Sequence, residues 1–217
     1  MSQHTLWLLR FTYKKLKEKL TVSDSKKLFY EQFPFVIPGL YKRIVDEMLV
    51  ELNLLNHQND FLQDDLFCVG LTETFKELTK GYKPEDHLML LFESLCNSSN
   101  FEPSKIKEIS KKTNELYKDK SLKEISILLK EKTSSNLYSS RILNIGIYLI
   151  IVSAFDFNEI KDSEKDKAIF DIVNSLNLSV NKAEKDISIY KSSIKKMDQA
   201  RELLEEAIIQ NKKKEKK

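Results

Sequence analysis

The sequence predicts an all-α fold, a multi-helix bundle followed by a long C-terminal helix with the heptad spacing of a coiled coil. Three observations carry this. Glycine and proline number only 4 each among 217 residues, far below their roughly 12% combined share of ordinary chains. Apolar residues recur at intervals of three and four, the period of a helix face, and not at the interval of two that a half-buried strand requires. From Ala183 onward the spacing settles into a strict alternation of four and three, the signature of a helix that packs lengthwise against another. A chain of this length supports one domain burying roughly 70% of its unfolded surface, with residues to spare. The expected division is a basic amphipathic extension over 1–20, a helical body over 21–178, and a coiled-coil helix with a basic tail over 179–217.

The first segment, LWLLRFTYKKLKEKL, interleaves Trp7, Leu8, Phe11 and Leu16 with Arg10, Lys14, Lys15, Lys17 and Lys19. Its apolar run is far too short for a secretory signal or a membrane span. Two readings stay open, a first helix packed on the body and an amphipathic helix lying on an anionic membrane surface. At Thr21 and Ser23 a hydroxyl can accept from the unpaired amides of a starting helix, and Asp24 favours the helix's positive end. That helix runs through Phe29 and Tyr30 to Phe33, where Pro34 crowds its predecessor out of helical angles. Pro38 then suits the first turn of a second helix, where its missing amide costs nothing.

Mapped at 100° per residue, the second helix places Leu40, Tyr41, Ile44, Val45, Met48, Leu49, Leu52 and Leu55 on one arc. Val50 and Leu54 fall on the opposite side with Arg43, Asp46 and Asn53, so this helix is expected to be central and to touch two neighbours. Glu51 lies between Leu40 and Ile44, inside the apolar arc. An unpaired carboxylate there would lose several kcal/mol of hydration, so the pattern demands either an Arg or Lys at a helix crossing or a local opening to solvent.

After the polar connector NHQNDFLQDD, Asp64 and Asp65 start a third helix through Leu66, Phe67, Leu71, Phe75 and Leu78, which Gly81 terminates. Pro84, Glu85 and Asp86 open a fourth through Leu88, Leu91, Phe92 and Leu95. Pro103 and Ser121 mark the starts of two outer helices with one wet face. Residues 142–155, ILNIGIYLIIVSAF, are apolar nearly all round but only 14 long, short of the roughly 20 needed to cross a bilayer. They read as a buried central helix, with Asn144 and Gly146 permitting a close crossing. Asp162 to Leu176 forms another helix, with Ala168, Ile169, Ile172 and Val173 inward. Finally Ala183, Ile187, Tyr190, Ile194, Met197, Arg201, Leu204 and Ile208 form the heptad seam. Its partner is the body, a second copy or another protein; the guanidinium of Arg201 disfavours a simple homodimer and favours a surface with an acid opposite.

The strings TVSDSKKLFY, IPGLYKRIVDEMLVELNLL, DDLFCVGLTETFKELTKGYKPE and LFESLC resemble the thylakoid formation protein family, also called the photosystem II biogenesis protein family, of cyanobacteria and plastids. The likeness is strongest from Thr21 to Cys96, and the remainder agrees in layout. It implies an all-helical protein with a C-terminal coiled coil, no known catalysis, and a role in photosystem II assembly and thylakoid organisation linked to FtsH-type membrane proteases. Plant members of the family carry a serine-rich plastid transit peptide, which residues 1–20 do not resemble, so the resemblance implies a cyanobacterial protein peripheral to the cytoplasmic side of the thylakoid membrane.

The residues themselves exclude most chemistry. There is no phosphate-cradling glycine loop, no GxSxG elbow and no Cys/His pair in a recognisable context. Cys68 and Cys96 stand 28 residues apart without CxxC spacing and read as small buried apolar side chains. His57 with Asp60, Asp64 and Asp65 matches neither an HExxH helix nor an EF-hand loop and reads as a helix-capping loop. With 36 basic and 33 acidic side chains interspersed along the chain, no stripe for nucleic acid exists. The expected function is therefore contact, for which the resemblance implies an FtsH-type protease complex and photosystem components as partners; peripheral membrane contact through Trp7 and Phe11 is the alternative. The candidate contact residues are Arg43, Asp46, Glu47 and Glu51 on the second helix and Ile187, Tyr190, Ile194, Met197, Arg201, Leu204 and Ile208 on the seam. No cofactor or metal is assigned, and homo-oligomerisation is left open.

Overall fold

The computed structural model describes residues 20–133 and 137–214, with side chains through Ala207. Among these residues the secondary structure is helical throughout, nine α-helices and one short 3-10 turn at Phe157–Glu159. Trp7, Phe11 and the rest of the basic first segment lie outside the described residues, as does the side chain of Ile208.

Local capping sets the boundaries. Helix α1 (Val22–Gln32) opens on a capping box in which Thr21 Oγ1 accepts from the amide of Asp24 and the Asp24 carboxylate accepts from the amide of Thr21; such a pair satisfies two otherwise orphaned donors. Helix α2 (Gly39–His57) follows Pro38, and α3 (Asp65–Leu78) is capped by Asp64, which accepts from the amide of Phe67 at 2.7 Å. Helices α4 (His87–Asn97), α5 (Pro103–Tyr117) and α6 (Leu122–Lys132) continue the chain, the last with a second capping box between Ser121 and Glu124. Then come α7 (Arg141–Val152), capped by Ser140, α8 (Asp162–Ser175) and the uninterrupted α9 (Val180–Lys214).

Two apolar clusters share the interior. One gathers Phe29, Phe33, Leu49, Leu52, Phe67 and Leu91 from α1–α4; the other gathers Ile125, Leu143, Ile147, Ile151, Val173 and Ile187 from α6–α9. Helices α3 and α7 cross between them, and the crossing is built on two glycines. A Cβ on Gly70 would lie 2.0 Å from the carbonyl oxygen of Ile142, and one on Gly146 would lie 2.0 Å from that of Leu66. Gly146 thus serves the close approach that its place in an apolar helix predicts, and Gly70 is its counterpart.

The α2 arc is buried at Tyr41, Val45, Met48, Leu49, Leu52 and Leu55, with Leu40 and Ile44 half-buried. Asn53 departs from expectation. The helical wheel puts it on the outer face with Arg43 and Asp46, yet it is only 2% exposed, because α1 covers that side of α2. Its amide donates to the Leu20 carbonyl at 2.7 Å and to Ser25 Oγ at 2.8 Å, which ties the start of α1 to the middle of the bundle.

The first half of the heptad seam packs on the chain's own body. Ala183, Ile187, Tyr190 and Met197 are buried and Ile194 is half-buried, against α7, α8 and α3. One polar contact fixes the register: Asn144 Nδ2 donates to Asp186 Oδ2 at 2.7 Å, both residues buried. Arg201 does not face an acid on the body. Its Nη1 donates to the Lys80 carbonyl at 2.9 Å, and Asp198, one turn back on α9 itself, takes the ion pair. A carbonyl suffices because the guanidinium sits at the rim and the pair completes its neutralisation.

Two consequences are measurable. Burial pushes the Asp64 carboxyl up to about 6 from 3.8, so the folded chain holds that proton more tightly than the unfolded chain does. Stability contributed at Asp64 is therefore fully present below about pH 4 and is lost as pH rises towards 6. Asp64→Asn, which keeps an oxygen for the Phe67 amide, is expected to remove this slope and to raise urea stability at pH 7.5 by roughly 1–3 kcal/mol. Burial also pushes the thiols of Cys68 and Cys96 up to about 12. Thiolate is the reactive form, so alkylation by iodoacetamide at pH 8, followed by mass spectrometry, is expected to be slower in the folded protein than in urea by on the order of a hundredfold or more.

Candidate interaction surface

Among the described residues nothing covers the part of the outer face of α2 that α1 leaves open. Together with residues 138–141 and Lys182 it forms an open groove of about 890 Å³, running along α2 from Gly39 to Gln58. Its floor is apolar at Val50, Leu54, Leu55 and Tyr138, and Leu54, in the last turn of α2, is 53% exposed.

The charges around this floor are arranged in pairs. Lys26 meets Asp46 at 3.3 Å, and Arg43 meets Glu47 at 2.8 Å, one turn apart on α2. Glu51 is half-buried. Arg141 Nε donates to its Oε2 at 2.8 Å and Nη2 reaches the same oxygen, so the carboxylate in the apolar arc finds its cation at the first residue of α7. Burial pushes the Glu51 carboxyl up, Arg141 opposes this, and nearby Asp186 adds to the rise. The groove holds Lys26, Lys42, Arg43, Arg141 and Lys182 against Asp46, Glu47 and Glu51. That leaves Lys42 and Lys182 without an acidic partner among the described residues; Lys182 Nζ donates to the Ser139 carbonyl.

The second unpartnered feature is the end of α9. This helix starts beside the groove at Lys182, passes the inner side of α2 near Met48 and Ile44 with Ile189 and Tyr190, and reaches Tyr41 and Lys80 at Arg201. Beyond that point it leaves the body. Residues 202–207 are all exposed, with Leu203 at 66% and Leu204 at 52%.

The sequence-derived contact residues thus divide into groups. Arg43, Asp46, Glu47 and Glu51 all line one groove. Ile187, Tyr190 and Met197 face the body, Ile194 is partly covered, and Arg201 closes that contact; Leu204 stands free. Leu203 and Lys42 escaped sequence reasoning, the first because it lies beside the seam and the second because an isolated lysine carries no signal.

Of the residues considered for metal, Asp64 caps α3 and His57 Nδ1 lies 2.8 Å from the Asn53 carbonyl oxygen. Among the described residues no three His, Cys, Asp or Glu side chains are grouped to hold a metal ion. No helix among them is long and apolar enough to cross a membrane.

Comparison with known proteins agrees with this architecture over nearly the whole chain. Protein Thf1 of Prochlorococcus marinus subsp. pastoris (strain CCMP1986 / NIES-2087 / MED4) is 81% identical over 202 residues, 93% of this chain and 100% of the relative. Protein Thf1 of Prochlorococcus marinus (strain MIT 9312) is 69% identical over 199 residues, 92% of this chain and 99% of the relative. The solved structure of Psb29 at 1.55 Å superposes with a TM-score of 0.81 at 26% identity, covering 91% of this chain and 100% of that one. The profile of the thylakoid formation protein family matches residues 21–217, the whole helical body and α9, and to that family the chain belongs.

Proposed function

We propose that this protein serves thylakoid formation and photosystem II biogenesis as a non-catalytic accessory factor, acting through its surfaces on an FtsH-type membrane protease complex at the cytoplasmic face of the thylakoid membrane. Family membership supports the thylakoid and photosystem part of this reading. The observation that carries the mode of action is the pair of unpartnered surfaces: a groove whose charges are largely neutralised around an exposed apolar floor, and a helix end that leaves the body with two leucines uncovered. A surface of this kind excludes water from a partner's apolar side chains while its rim sets orientation.

The test is affinity capture of the tagged chain from detergent-solubilised membranes, beside a version ending after Arg201. That version keeps Ala183, Ile187, Tyr190 and Met197, so the buried contact of α9 is retained. Protease subunits and photosystem components are expected to be enriched with the full chain and strongly reduced with the shortened one. Enrichment of neither class by the full chain would refute the reading.

A further inference from the structure

We infer that the α2 groove receives an amphipathic helix of a partner protein, one whose apolar stripe carries an acidic residue a turn away, and that this acid seats against Lys182 and Arg141. The inference deepens the proposed function and rests on it in one respect, that the groove is a docking surface.

The apolar floor and the free positive charge lie at the same end of the groove. Val50, Leu54 and Leu55 belong to the second half of α2, and Tyr138 belongs to the opposite wall. Helix α9 runs antiparallel to α2, from Lys182 beside the groove to Arg201 near Tyr41 and Lys80. Asp186 lies near Glu51, and Lys182, one turn earlier on α9, therefore stands towards Leu54 and Leu55. Lys182 is exposed, has no acidic partner among the described residues, and is held at the rim by donating to the Ser139 carbonyl. Arg141 directs Nε and Nη2 to one oxygen of Glu51, and its Nη1 makes no hydrogen bond among the described residues. Helices α7 and α9 both begin here, at Arg141 and Val180, and each N-terminus adds the equivalent of about half a positive charge, against a single C-terminus, that of α2. Asp186 is buried and turned to Asn144, away from the open groove.

The chemistry of the groove selects its occupant. An extended segment needs a sheet edge to pair its backbone, and among the described residues there is no strand. A helix satisfies its own backbone and requires only side-chain contact. An acyl chain would have to continue from the floor along the ion pairs Lys26–Asp46 and Arg43–Glu47, which give it no apolar cover. An amphipathic helix lays its apolar turn on the floor and sets polar side chains over the pairs, which fix its register. Its acid, placed at Lys182 and the free Nη1 of Arg141, takes the place of water there. The apolar floor alongside lowers the local dielectric, the condition under which a charged hydrogen bond contributes most.

Fluorescence anisotropy with labelled model helices and the purified full chain tests this. The probe is an alanine-based peptide of about 18 residues, long enough to hold a helix, with a leucine stripe at helical spacing and a glutamate one turn before it; its companion carries lysine in place of the glutamate. The wild-type chain is expected to bind the glutamate peptide at least about tenfold more tightly than the lysine peptide at low salt, with the gap narrowing as salt is added. Lys182→Glu is expected to erase or invert that preference, and Leu54→Asp to weaken both peptides by about tenfold. Both residues are exposed, so each variant is expected to keep wild-type helicity by circular dichroism. Equal binding of the two peptides, no measurable binding, or binding that neither substitution moves would overturn the inference. So would flotation of the wild type with phosphatidylglycerol vesicles that Leu54→Asp abolishes, which would give the groove to lipid, or self-association abolished by the same change, which would give it to a second copy. Loss of protease capture on Leu54→Asp in a chain that ignores both peptides would leave the proposed function standing and sink this inference alone.

Discussion

Gly70→Ala is expected to destabilise the fold by about 3 kcal/mol or more, and Gly146→Ala by a similar amount. In each case the added methyl meets a backbone carbonyl oxygen at 2.0 Å, and backbone cannot swing aside as a side-chain tip does. The only relief is for α3 and α7 to move apart. That separation loosens both apolar clusters, because Leu66 and Val69 on one helix and Leu143, Ile147 and Ile150 on the other pack around the crossing. Since one displacement relieves both clashes, the double variant is expected to lose clearly less than the sum of the two, the mark of residues sharing a contact. Urea unfolding followed by circular dichroism reads all three values. Losses below 1 kcal/mol, or simple additivity, would show that the helices do not approach so closely.

Arg141→Met is expected to destabilise by about 1–3 kcal/mol, less than for a fully buried ion pair, because solvent reaches Arg141, 35% exposed, and screens the charge left on Glu51. The signature is in the pH dependence. The Glu51 carboxyl is already pushed up from 4.5 by burial, with Arg141 opposing the rise, and removing Arg141 pushes it further. The folded variant then binds a proton that the unfolded chain has released, so its stability falls as pH rises from about 4.5 through the raised folded value. The deficit is smallest in acid and largest at neutral pH. Glu51→Leu combined with Arg141→Met removes both charges and is expected to recover most of the loss and flatten the slope. A deficit that does not change with pH, or a double variant no better than the single one, would contradict the assignment.

What the sequence discloses about this fold depends on how far apart the interacting residues lie. The capping boxes at Thr21–Asp24 and Ser121–Glu124 span three residues, and helix starts there are readable from the string alone. The need of Glu51 for a cation is readable too, because it follows from the residue's place in an apolar arc. The identity of that cation is not, since Arg141 lies 90 residues away and looks like any residue at a helix start. Gly146 signals a close crossing because it interrupts an otherwise bulky apolar run. Gly70, in DLFCVGLTETF, sits where a small residue attracts no notice. Asn53 shows where the helical wheel fails: polar residues point outward only if nothing covers them, and α1 covers this one. For the seam, periodicity requires a facing surface along its whole length but does not name it, and the structure gives it two, the body up to Arg201 and solvent beyond. The groove follows the same rule. Arg43, Asp46 and Glu47 were evident on one helix, but the opposite wall comes from residues 138–141 and 182, brought there by the tertiary fold.

Helix α9 has two different halves, one packed into the core as far as Arg201 and one that leaves the body beyond it. Amide hydrogen exchange by mass spectrometry on the full chain tests this directly. Amides of residues 183–201 are predicted to be protected to the level of α3 and α7, and those beyond residue 202 to exchange orders of magnitude faster, as in an isolated helix end that frays. Uniform protection to residue 214, or rapid exchange along all of α9, would contradict it.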